Sequence, residues 1–81
     1  MQVSIERMFG QIFQVEVEQD DSVYNLKMQI YWITSIDPEQ QRLIYQGQEV
    51  EEGTISQYNI QEGSVIHLSI WSTGSGASRE I

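Results

Sequence analysis

His67 is the single histidine of the 81-residue chain, and there is no cysteine. A Ser-His-Asp or Cys-His mechanism would have to rest on His67 alone, and no partner for it is implied by spacing. The lack of thiolates removes disulfides, zinc–thiolate sites and iron–sulfur clusters from consideration. Carboxylates, by contrast, are abundant: 12 Asp/Glu stand against 4 Lys/Arg, a formal charge of -8. Phosphate recognition needs clustered Lys/Arg, so no nucleic-acid partner is expected. No apolar run approaches the roughly 20 residues of a membrane span, and the N-terminus lacks the charged-then-apolar layout of a signal peptide. These residues predict a small, acidic, soluble domain without enzymatic activity, cofactor or membrane partner, located in the cytoplasm, the nucleus or both.

Any function must then come from side chains presented on a packed scaffold. With 40% of residues hydrophobic, the chain has enough apolar material for one modest core. Met1, Val3 and Ile5 alternate with Gln2, Ser4 and Glu6, the period of a half-buried strand. Gly10 interrupts the alternation, and Phe13, Val15 and Val17 resume it, which is the pattern of a β-hairpin. Ser22 is a suitable N-cap, preceded by Asp20 and Asp21, and Val23, Leu26 and Ile30 follow at helical spacing. Thr34, Ser35 and the Asp37-Pro38 pair should end that helix. Residues 40–45 read as a strand ending at Gly47, residues 49–53 as a turn, Ile55 and Ile60 as anchors of a compact loop, and residues 65–70 as the last strand. Beyond Ser72 the chain is mostly small and polar, as in a frayed tail or linker. Hairpin, helix, strand, loop, strand is the order of an α+β two-layer domain.

The run Asp37-Pro38-Glu39-Gln40-Gln41-Arg42-Leu43-Ile44-Tyr45 resembles ubiquitin, as do Glu51-Glu52-Gly53, Thr54 to Gln61 and His67-Leu68. Met1-Gln2, Gly10, Glu16-Val17-Glu18, Asn25, Lys27 and Ile30 extend the resemblance, which runs to about residue 75 with one deletion near Gly53-Thr54. It implies the β-grasp fold, with a ubiquitin-like domain over residues 1–71 and a tail or linker over 72–81. It also implies a buried Lys27 paired with Glu52, a left-handed Asn59, and a protein-binding surface at Met8, Ile44, Gly47, His67 and Ser69, flanked by Arg42 and Gln48. Ile44 should be exposed, since it points away from Leu43. Ser69 departs from the family, which carries an aliphatic residue there, so altered recognition is expected.

Two further departures concern conjugation. Trp71-Ser72-Thr73-Gly74-Ser75-Gly76 stands where the family's modifiers carry arginines and a closing Gly-Gly pair. Of the family's chain-forming lysines only Lys27 is present; Glu6, Gln11, Gln29, Ile33, Gln48 and Glu62 replace the others. The resulting expectation is a non-conjugated domain, the N-terminal module of a larger protein, that docks onto ubiquitin-binding motifs, the proteasome or related receptors. A second apolar stripe on the helix, Tyr24, Met28, Tyr31 and Trp32, has no counterpart in the family. With Trp71 it forms a second candidate interface, and the alternative reading is a self-associating or structural β-grasp module. A conjugated modifier is the third.

Overall fold

The computed structural model describes residues 1–70. Strands β1 (Gln2–Glu6) and β2 (Ile12–Glu16) form the opening hairpin, and helix α1 (Val23–Thr34) follows. Then come β3 (Gln41–Tyr45), the short β4 (Gln48–Val50) and β5 (Val65–Ile70), with 3-10 turns at Met8–Gly10, Pro38–Gln40 and Ile55–Tyr58. The sheet order is β2-β1-β5-β3-β4. Only β1 and β5 run parallel; the other neighbours are antiparallel. A mixed five-stranded sheet with one helix packed across it is the α+β layering that the element order implied and the β-grasp arrangement that the family resemblance implied.

Alternation along each strand decides what the sheet buries. Val3 and Ile5 of β1, Leu43 of β3, and Ile66 and Leu68 of β5 face the helix and are buried. Val23, Leu26 and Ile30, the stripe at helical spacing, meet them with no exposed surface. Burying each such side chain contributes about 1.5–3 kcal/mol, so this shared layer is the main force holding helix to sheet. Ile55 and Ile60 are fully buried and close the core under the loop, as their expected anchoring role requires.

Local chemistry sets the helix ends. Ser22 Oγ accepts from the Asn25 amide at 3.0 Å, which satisfies one orphan donor of the first turn. Ser35 turns left-handed (φ 64°) and donates its amide to the Tyr31 carbonyl. The Thr34 hydroxyl donates to the Ile30 carbonyl and accepts from the Ile36 amide, diverting the backbone out of the helix.

Three expectations require correction. Residues 49–53 are not simply a turn: Gln48–Val50 pairs with β3, because Gln46 (φ 53°) and Gly47 (φ 79°) form a tight two-residue connection with both residues left-handed. Gln40 belongs to the 3-10 turn that Pro38 opens, and β3 starts one residue later. Lys27 is half-buried rather than enclosed, and among the described residues it forms no ion pair with Glu52. The Tyr58 hydroxyl holds the Glu52 backbone, donating to its carbonyl at 2.6 Å and accepting from its amide at 3.3 Å, while the Glu52 residue lies exposed. A long lysine stem covers apolar surface while its ammonium stays in water, so no buried counter-charge is needed. Asn59 does adopt the left-handed conformation (φ 60°), and Gly63 likewise (φ 81°).

Candidate protein-interaction surface

The face of the sheet turned away from α1 carries the expected surface residues. Ile44 on β3 is the register partner of His67 on β5, and Arg42 is the partner of Ser69. His67 is in turn opposite Glu6 of β1, and Glu6 opposite Ile12 of β2. A single row, Ile44–His67–Glu6–Ile12, therefore crosses four strands, with Glu49 of β4 beyond Ile44. Gly47 and Gln48 lie exposed at the β3–β4 turn, and Met8 projects from the β1–β2 connection at 61% exposure. The structure thus gathers Ile44, His67, Arg42 and Ser69 on adjoining strands, with Met8 at one border and Gly47 and Gln48 at another. Trp71 lies outside the described residues, as does the tail from residue 72.

Ile44 departs from expectation: it is half-buried rather than exposed. Its alternation with Leu43 is as read, but cross-strand neighbours His67 and Glu49 stand on either side of it. It offers an apolar centre rather than a protruding knob. Beside Ser69, a hollow of about 120 Å³ opens at the end of the sheet, bordered by Met8, Ile36, Leu68 and Ile70.

The charges on this face are arranged in local pairs. The Glu6 carboxylate lies 3.2 Å from His67 Nδ1, a hydrogen-bonding distance that becomes an ion pair if the ring is protonated. Arg42 Nε lies 3.6 Å from the Glu49 carboxylate. Both pairs are partly exposed and so contribute little to stability. Their consequence is that Arg42 and His67, the basic side chains nearest the apolar centre, already have carboxylate neighbours. Neither pair was foreseen, because cross-strand register decides them and a single sequence does not show register.

Another residue missed by sequence reasoning is Gln41. It is fully buried, and its Nε2 donates to the Lys27 carbonyl and the Ile36 carbonyl, each at 2.9 Å. Oε1 has no partner. The amide ties the start of β3 to both α1 and the loop after it, so it positions Arg42 and Ile44 at one remove. Alternation with Leu43 was the available signal, since it puts Gln41 on the core face.

Among the described residues, no group of three or more His, Cys, Asp or Glu side chains is placed to hold a metal ion. No described helix is long and apolar enough to cross a membrane. The Tyr24, Met28, Tyr31 and Trp32 stripe lies across the helix from the core. Tyr24 is 64% and Trp32 76% exposed, while Met28 and Tyr31 are half-buried.

Comparison with known proteins agrees with this architecture. The ubiquitin family model matches residues 2–72. NEDD8-like protein RUB1 of Saccharomyces cerevisiae is 33% identical over 69 residues, covering 84% of this chain and 90% of the relative. Ubiquitin-like protein NEDD8 of Dictyostelium discoideum is 29% identical over the same shares. A segment amounting to 6% of large proline-rich protein bag6-A of Xenopus laevis is 39% identical over 69 residues, again 84% of this chain. By fold, by family match and by these relatives, the chain belongs to the ubiquitin family.

Proposed function

We propose that this chain is a non-conjugated protein-interaction domain that binds ubiquitin-binding motifs, on the proteasome or related receptors, through the surface centred on Ile44. The observation that carries the reading is the pairing of Ile44 with His67 at the middle of the free sheet face, bordered by Met8, Gly47 and Gln48. The mechanism is equilibrium binding, with no covalent bond made or broken. The domain takes in residues 1–71, and the segment after it serves as a linker. The 39% identity with a short segment of a much longer relative supports a modular role, as does the absence of a Gly-Gly pair at residues 71–76.

Partners should carry fewer carboxylates than acidic ubiquitin receptors. Glu6 and Glu49 occupy the positions beside His67 and Arg42, and a chain of charge -8 repels acidic partners at long range. Calorimetric titration with a helical ubiquitin-binding peptide, with wild type and Ile44→Ala, tests the reading. Removing three carbons from a contact centre forfeits up to about 2.4 kcal/mol, a loss of about fiftyfold in Kd if all three are buried in the complex. Equal affinity of the two proteins would refute it.

A second reading, a conjugated modifier, is favoured by the match to RUB1 over 90% of that relative's length. The half-exposed Lys27 also leaves one possible chain-forming lysine accessible. Mass spectrometry of cell extract distinguishes the two: isopeptide remnants of this chain on other proteins would establish the modifier.

A further inference from the structure

The outer face of α1 lies across the helix from the core, away from the sheet face that carries Ile44, and nothing in the reading above uses it. At 3.6 residues per turn, Met28 stands diametrically opposite the buried Leu26–Ile30 stripe. Tyr24 and Trp32 flank it one turn before and one turn after, and Tyr31 adjoins Trp32 edge-on with ring centroids 5.5 Å apart at 64°. Such a face on a surface helix is ordinarily polar.

We propose that this face joins two copies of the chain, their helices packed antiparallel about a two-fold axis passing near Met28. Three observations select a second copy as the occupant. The first is self-complementarity. Met28 lies at the middle of a 12-residue helix, with Tyr24 and Trp32 displaced about 6 Å along the axis in opposite directions. An antiparallel pair then brings Met28 against Met28, and each Trp32 against the second copy's Tyr24, which an isologous interface requires. The second is area. Aromatic side chains of about 150–250 Å² at 64% and 76% exposure give about 300 Å². Met28 and Tyr31 bring the total to about 400 Å², close to the apolar share of the roughly 800 Å² per partner in a standard interface.

The third is charge. All 12 carboxylates lie outside residues 23–34, and Lys27 is the only charged side chain on α1. Two chains of charge -8 meet with least repulsion along a carboxylate-free element. Acids stand only at the rim: Glu39 and Glu51 border a hollow beside Tyr24 and Lys27, and Asp20 and Asp21 precede the helix cap. Residual repulsion between the two rims and the net charges is screened by salt, so association strengthens as ionic strength rises.

Sedimentation equilibrium of the 81-residue chain over a dilution series, with circular dichroism as the fold control, tests the proposal. Wild type should pass from dimer to monomer on dilution, with the dimer several-fold tighter in high salt. Trp32→Glu should weaken association by at least about thirtyfold, as for a central aromatic anchor. If Trp32→Glu loses its fold, Tyr24→Lys serves in its place. Met28→Cys introduces a lone thiol at the two-fold axis, and mild oxidation should convert it to a covalent dimer much faster than the exposed control Gln61→Cys. A monomer at every concentration, association unaffected by the folded variant, or equal cross-linking of the two cysteine variants would each overturn the proposal. Ile44→Ala leaves this association unchanged, so the outcome is separable from that of the docking surface.

Discussion

Replacing Ser69 by leucine should place an aliphatic side chain on the Ile44 face and tighten binding there. Ser69 faces the same side of the sheet as its register partner Arg42, opposite to the buried Leu68. Serine to leucine adds three carbons and removes a hydroxyl; complete burial against a partner would contribute about 2.4 kcal/mol at about 0.8 kcal/mol per methylene. Ser69 is already half-buried in the free protein, so part of the new surface is covered before any partner arrives. Half of the maximum, about 1.2 kcal/mol, is the expected gain, which is about eightfold in Kd. Folding stability should change by less than about 0.5 kcal/mol, as is usual for substitutions at partly exposed sites. Calorimetry with the same helical peptide reads the affinity, and urea denaturation reads the stability. An unchanged or weaker Kd in a folded Ser69→Leu protein would refute the placement of Ser69 within the contact.

Further predictions concern the scaffold. Gln41→Met removes two hydrogen bonds but also the unpartnered Oε1, so urea unfolding should show a net loss of about 1–2 kcal/mol. Gln41→Glu places an acceptor against two carbonyls, costs more than the methionine variant, and should lose stability as pH rises above the usual glutamate range near about 4.3, since burial favours the neutral acid. Gly53 has φ +92°, and a Cβ there would run into Gln57 Oε1, which accepts the Thr54 amide; Gly53→Ala should lower stability by about 1–3 kcal/mol in the same assay. The hydrogen bond from the Met1 amino group to Glu16 raises that amine's pKa above its ordinary 8.0. The protonated amine is thus favoured in the folded state; its stabilisation is complete below the unfolded value and fades as pH rises through the elevated one. A stability–pH profile of the 81-residue chain should decline across that alkaline window, and Glu16→Gln should flatten the decline.

Much of the scaffold was legible because its determinants are local. The period-two runs of Val3/Ile5 and Ile66/Leu68, the Ser22 cap, and the Val23, Leu26, Ile30 stripe each announce an element and its buried face. Strand β4 was not legible. Three residues are too few to show a period, and what makes them a strand is the left-handed Gln46-Gly47 connection. The lysine at position 27 misled for a different reason. Its place on the helix was read correctly, but whether Glu52 reaches it depends on the fold of the loop that carries Glu52, whose backbone the Tyr58 hydroxyl holds. At the surface, Ile44 and Met8 could be located through the family resemblance, whereas the Glu6–His67 and Arg42–Glu49 neighbours depend on strand register.

The central proposal is that the sheet face around Ile44 is the working surface. A backbone amide NMR titration of the 81-residue chain with a helical ubiquitin-binding peptide tests it most directly. The account predicts saturable shifts concentrated at Met8, Ile44, Gly47 and His67, with residues of α1 unmoved. Peptide-dependent shifts centred on Tyr24, Met28 and Trp32, with none along the Ile44–His67 row, would contradict it.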